Sequence, residues 1–445
     1  MLKNTGTAVS IAFFALSTAA IAEDNHIDTI RADAPALAKY GMFNIGVKTF
    51  SFVNTKQVDV LQTKPGKPVP LYDRPLFVEV WYPARLAPGQ PAVGKYRVMT
   101  RDGKTVVTLI GKAVRDAKVD GGAKPYPLVI ISHGYPGNRY LLSHLAENIA
   151  SKGYVVASID HTDSTYSDQA DFGSTLLNRS LDQLFVLGEM ARLNASDPGG
   201  TLTGLIDTDR TALIGYSMGG YGVVNAIGGG FTAASVGFAW GAPNGTLAVR
   251  QAGNPAYAAS MDKRIKAAVA FAPWGWKKGF WDADGLAGIH TPVFFVAGSV
   301  DDVSGYAPGV RNIFESSVNA PRYLLTYENA NHNAGAPMPA PLETWQAVSW
   351  LDFIPAEHYV DAVWDSTRMN NIAQHFTTAF LDRDLKNNAE MDAYLNVVEY
   401  SRNGLWSTEK DGKFKPDHTY WKGFPNRSAV GLRLEHRTPQ VIPGK

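Results

Sequence analysis

The chain predicts an α/β fold, a mostly parallel central sheet with helices on both faces. Three observations carry it. From Pro127 onward, short apolar runs alternate with longer amphipathic ones, the punctuation of strand–helix–strand units. The runs Leu128 to Ile131, Val155 to Ile159 and Ala212 to Ile214 are almost continuously apolar, as strands are when helices cover both sides. Finally, 445 residues, 45% of them apolar, suffice for a large core.

Taken in order, the first segment is a targeting signal. Lys3 precedes an apolar run from Ala8 to Ala22 that closes on Ala20-Ile21-Ala22. That run is too short for a membrane span, which needs about 20 apolar residues, and suits cleavage near Ala22. Residues 1–22 are therefore expected to be removed, leaving no integral membrane segment and a periplasmic or extracellular protein. The absence of cysteine fits either place and rules out disulfides, thiolate nucleophiles and thiolate metal sites. Forty-two basic against forty-one acidic residues give a net charge of +1, which argues against nucleic acid as a partner.

Residues 23–386 are expected to form the main domain. Its first two strands, 41–53 and 75–83, carry β-branched and aromatic residues and suggest an antiparallel start to the sheet. An insertion of about 84–126 follows, rich in Gly, Pro and Lys, with one short strand at Thr105 to Ile110. The parallel series then runs through helices at Leu141 to Ser151 and Ser180 to Leu193, and through strands at Ala267 to Ala272, Val293 to Ala297 and Tyr323 to Tyr327. A second insertion, about 228–263, is long enough to cap a site. A helix from Asn371 to Leu385 ends the domain, and residues 387–445 form an extension without strong periodicity.

The chemistry begins at Gly215-Tyr216-Ser217-Met218-Gly219. Strand before, small residues after: this G-x-S-x-G string sits where a tight strand-to-helix turn would lift Ser217 above the sheet. The two glycines permit backbone crowding that a Cβ would block. Met218 N–H, at the helix start, and Tyr135 N–H, in His133-Gly134-Tyr135-Pro136-Gly137, are the candidate oxyanion donors. His133 itself, at a strand end, reads as structural. After Val293 to Ala297 come Asp301 and Asp302; the spacing from Gly298 favours Asp301 as the acid and leaves Asp302 exposed or capping a helix from near Ser304. After Tyr323 to Tyr327 comes His332, the histidine that directly follows a strand beyond that acid. Ser217, Asp301 and His332 would act as nucleophile, orienting acid and general base.

Together with Val80-Trp81-Tyr82-Pro83-Ala84 and Gly153-Tyr154-Val155-Val156-Ala157, these motifs resemble the α/β-hydrolases similar to dienelactone hydrolase and the platelet-activating factor acetylhydrolases, over roughly residues 40 to 385. The resemblance implies a serine esterase that needs neither cofactor nor metal. Dienelactone hydrolase carries a cysteine where Ser217 stands, so its substrate is not implied. Pro273-Trp274-Gly275-Trp276 would face the same mouth, with Trp274 and Trp276 as a tentative acyl or aryl pocket. Substrates then range over small esters, lipids and polyesters. The alternatives are an amidase or peptidase of the same fold, or a noncatalytic binding protein on a degenerate one.

Overall fold

A computed structural model describes residues 25–440 apart from 123, 124 and 171. The segment read as a signal peptide lies outside the described residues. Fourteen strands among those described fall into two sheets. The first three that bear on the small sheet are β1 (Asn25–His26), β4 (Gly94–Met99) and β5 (Val106–Gly111), which pair in the order β1-β5-β4.

The large sheet begins with the antiparallel pair β2 (Asn44–Val58) and β3 (Leu71–Arg85), edged by β6 (Val114–Arg115) and β7 (Lys118–Val119). It continues through β8 (Tyr126–Ser132), β9 (Val155–Asp160), β10 (Ile206–Tyr216), β11 (Ile265–Phe271), β12 (Val293–Gly298) and β13 (Arg322–Tyr327). In space the parallel block runs β13-β12-β11-β10-β8-β9. The last strand, β14 (Leu432–Arg437), lies antiparallel on β13.

Alternation along the buried strands divides the core in two. Val129 and Ile131 face one cluster, with Leu145, Phe376 and Phe380. Leu128 and Ile130 face the other, with Val186, Tyr221 and Phe314. Helix α1 (Ser143–Ala150) and the helix Ser366–Lys386 cover the first face; α2 (Phe172–Ala195) and α3 (Met218–Ala226) cover the second. A sheet flanked in this way buries both sides of every central strand, which is why those strands read as unbroken apolar runs.

Three regions differ from the sequence expectation. The first insertion is a working part of the core: Tyr96 and Val98 on β4 and Leu109 on β5 are buried beside Trp81, whose Nε1–H donates to Tyr96 Oη at 2.9 Å. The second insertion folds as α4 (Ala233–Val236), a turn of tighter helix at Pro243–Arg250 and α5 (Pro255–Ala259). It lies against α2 and α3, where Tyr257 Oη donates to Asn225 O at 2.5 Å and Arg250 Nε to Ser180 Oγ at 3.4 Å. The extension is not a separate unit, since it supplies β14 and buries Trp421 and Phe424 against Phe376.

Candidate active site

Ser217 stands at the junction of β10 and α3 with φ +53° and ψ −111°, a left-handed conformation that a non-glycine residue adopts only when its surroundings enforce it. The enforcement is visible. Its N–H donates to Phe271 O at 2.9 Å, and its own carbonyl accepts from Tyr221 N–H at 2.9 Å and Trp274 N–H at 3.2 Å. A Cβ on Gly215 would lie 2.2 Å from Gly219 O, and one on Gly219 would lie 2.0 Å from Ser132 O. Glycine is required at both positions for the turn to close.

The histidine comes from the loop after β13 and the acid from the loop after β12. His332 Nε2 is 2.9 Å from Ser217 Oγ, and Nδ1 is 3.1 and 3.0 Å from the two oxygens of Asp301. With Nδ1 protonated toward Asp301, Nε2 is left to accept the serine proton. Burial pushes the Asp301 carboxyl up. The His332 hydrogen bond and charge, with the N–H groups of Ser304 and Val303, outweigh it and hold the group below the usual carboxylate range. Asp301 Oδ1 accepts from Val303 N–H and Ser304 N–H, both at 2.9 Å. One carboxylate, Asp301, thus meets both the His332 ring and the N–H groups of the turn that follows it. Asp302 is exposed, and among the described residues its carboxylate caps no helix; the helix expected near Ser304 begins two residues later, as a distorted wide turn at Tyr306–Val310 that leads into Arg311–Ser316.

Met218 is the first residue of α3, so its N–H has no acceptor within the helix. Tyr135 lines the same cavity, and its ring packs on Phe172 at 5.0 Å. A Cβ on Gly134 would come within 3.1 Å of the Tyr216 ring, so the glycine lets this loop lie close on the residue before Ser217. Beneath it His133 is buried, with Nδ1 2.7 Å from Gly134 O and Nε2 accepting from His161 N–H at 3.2 Å.

Sequence reasoning missed a second serine–histidine–aspartate arrangement. Ser132 Oγ is 2.8 Å from His161 Nε2, and His161 Nδ1 is 2.9 Å from Asp182 Oδ2. Asp182 also receives Arg74 through Nε and Nη2, both at 2.9 Å. All four side chains are essentially sealed from solvent. Burial acts to raise the Asp182 carboxyl, but Arg74 and His161 bring it down to about 2.

The cavity over Ser217 has a volume of about 490 Å³. Trp274 and Trp276, expected to line it, do not: the Trp274 ring packs on Phe172, Tyr221 and Phe280 at 5.5 to 6.1 Å. Residues 228–263 contribute none of the lining either. The wall is instead the stretch through Glu357, His358, Val360 and Ala362. Asn333, next to the histidine, holds that wall by donating from Nδ2 to Glu357 O at 2.9 Å and Val360 O at 2.7 Å, while Tyr216 Oη donates to its Oδ1 at 2.8 Å. The pair Asn331 and Asn333 flanking His332 was the signal available for it in the sequence. Among the described residues no group of His, Asp and Glu is arranged to hold a metal ion.

The fold is that of the α/β-hydrolase superfamily, with Ser217 after β10, Asp301 after β12 and His332 after β13. A family model described as PETase, PET hydrolase-like, matches residues 117–242, the stretch that contains the Tyr135 loop and Ser217. Cutinase est1 of Thermobifida alba is 28% identical over 212 residues, 47% of this chain and 54% of that protein. Cutinase 2 of Thermobifida cellulosilytica is 26% identical over 227 residues, 51% of this chain and 67% of its own length. The chain thus spans about half to two thirds of the curated relatives it matches. A ferulic acid esterase structure from Streptomyces cinnamoneus superposes with a TM-score of 0.54 at 20% identity, covering 82% of this chain and 94% of that one. None of these three relatives carries the dienelactone hydrolase or acetylhydrolase name that the motifs suggested.

Proposed function

We propose that the protein is a carboxylic ester hydrolase acting through an acyl-enzyme on Ser217. The observation that carries the reading is the single imidazole, His332, within hydrogen-bond distance of both the Ser217 hydroxyl and the Asp301 carboxylate. His332 Nε2 takes the serine proton as Oγ attacks the ester carbonyl. Met218 N–H and Tyr135 N–H receive the oxyanion, and the alcohol leaves with the proton from His332. Water then repeats the sequence on the acyl-enzyme and releases the acid. Asp301 holds the tautomer and stabilises the imidazolium formed in each half.

The names matched, cutinase, PET hydrolase and ferulic acid esterase, support esters, polyesters included, over amides. Neither metal nor cofactor enters any step. Export after cleavage near Ala22 completes the proposal; among the described residues no helix is long and apolar enough to cross a membrane. A fluorophosphonate probe followed by peptide mapping tests the chemistry. The expected adduct lies on Ser217, and nitrophenyl esters are turned over while matched anilides are not. Anilide turnover at the ester rate would favour a peptidase, and absence of any adduct would favour a binding protein.

A further inference from the structure

The cavity carries a charge pattern that the triad does not require. Of its twelve lining residues, Asp302 and Glu357 are carboxylates and none is lysine or arginine. Both side chains are exposed, and among the described residues neither pairs with a cation. Glu357 is held at the wall, where Oε1 accepts from Ile354 N–H at 3.2 Å.

Two cations lie nearby, and neither lines the cavity. Lys277 Nζ reaches the backbone carbonyl of Asp302 at 3.4 Å, not its carboxylate. Arg101 does not line the cavity, its guanidinium stacking over the Phe353 ring at 4.9 Å, although its charge reaches His358. His358 lines the wall as a neutral imidazole, since burial first, and then the Arg101 and His332 charges, bring it down to about 3. Its Nε2 is closed off from water and has no hydrogen-bond partner among the described residues, so His358 adds no positive charge to a wall that carries two negative ones. Asp301, behind His332, adds a third charge of the same sign.

We infer that Asp302 and Glu357 make the site select on substrate charge: esters bearing a cation near the scissile carbonyl are preferred to neutral isosteres, and esters bearing a carboxylate are disfavoured. A cleft lined by one sign of charge concentrates opposite charge and repels its own. The inference rests on the ester-hydrolase reading above and gives it a substrate class. It also has a consequence for diesters of dicarboxylic acids. Hydrolysis of the first ester consumes one water, frees one alcohol and leaves a carboxylate on the remaining monoester. That product is an anion in an anionic cavity, so it departs readily and returns poorly, and the monoester accumulates.

The test compares kcat/KM for the acetate of choline with that for the acetate of its uncharged carbon isostere, at low and high ionic strength. A preference for the cation of at least about fivefold is expected at low salt. It should shrink toward unity near 1 M salt, where charges about 3 Å apart are already screened. The ratio should also shrink in the double variant Asp302→Asn, Glu357→Gln, and by a smaller amount in each single variant, which serve if the double variant does not fold. Dimethyl adipate should release one equivalent of acid while monomethyl adipate persists. A wild-type ratio at or below unity, a ratio that the substitutions leave unchanged, or equal turnover of diester and monoester would overturn the inference. Turnover with a flat charge profile removes only the inference. Failure of every ester, with no adduct on Ser217, removes the ester reading and the inference together.

Discussion

Two serine–histidine–aspartate constellations sit within one molecule, and on hydrogen-bond distances alone they are hard to tell apart. Serine to histidine is 2.9 Å at Ser217 and 2.8 Å at Ser132; histidine to aspartate is 3.0 Å at His332 and 2.9 Å at His161. What separates them is everything around the triad. Ser217 occupies a forced left-handed turn and lines a cavity, whereas Ser132 is an ordinary strand residue paired with Gly215 on one side and Ile159 on the other. The aspartates differ too. Asp301 serves its histidine and two backbone N–H groups, while Asp182 is committed to the buried guanidinium of Arg74. On the function proposed above, access, a strained serine and nearby backbone N–H donors are what would make the Ser217 arrangement an active site; Ser132, buried in a regular strand, is part of a polar tie.

The largest test of that contrast is Ser217→Ala, expected to lower kcat on the order of 10⁶-fold, read by ester turnover. Loss of comparable size from Ser132→Ala would erase the distinction. Asp301→Asn should lower kcat by up to about 10⁴-fold at near-normal KM, because asparagine presents the wrong hydrogen-bonding partner to Nδ1. The variant should still fold, since an amide oxygen can accept from Val303 and Ser304 as the carboxylate does.

The remaining tests read stability. Asp182→Asn removes the main counter-charge of Arg74, which is 1% exposed, and should cost about 3–5 kcal/mol in denaturant unfolding. Burial depresses His161 to about 3, and Arg74 with His161 depresses Asp182 to about 2 despite its burial. Between pH 6.5 and 3 the unfolded chain binds a proton at His161 that the fold refuses, so stability falls with falling pH through that window. The Asp182 contribution is present above the unfolded carboxylate value of about 3.9 and is lost as the pH falls toward about 2. Acid titration of the melting temperature should therefore be flatter in Asp182→Asn below pH 4 than in wild type. Ser132→Ala, the smallest change, should cost about 1–3 kcal/mol by leaving His161 Nε2 unpaired, with fluorophosphonate labelling of Ser217 retained.

The three residues now gathered at the cavity were legible in the sequence because each follows an apolar strand, so a local pattern fixed its place above the sheet. The cavity wall was not. Glu357, His358 and Val360 belong to a proline-interrupted stretch with no period, and their position depends on one asparagine side chain, Asn333, holding two carbonyls. Trp274 and Trp276 misled for the opposite reason. They follow the right strand, but the Trp274 ring finds Tyr221, Phe172 and Phe280 before it reaches the cavity. The tail was opaque because its order comes from distant partners. Leu432-Arg433-Leu434-Glu435 alternates as a strand should, yet only β13, from the far side of the helix Ser366–Lys386, makes it one.

That returning strand also orders events in time. β13 leads directly into the His332 loop, and its outer edge is satisfied by residues made about a hundred positions later. While the chain is being synthesised, the strand beside the histidine has one unpaired edge of the kind that invites pairing with a neighbouring molecule. Ser217 and Asp301 are translated long before that edge can be covered. The strand that leads into the His332 loop is therefore paired on both edges only once residues 432–437 have emerged, and their loss would reopen a seam immediately next to that loop.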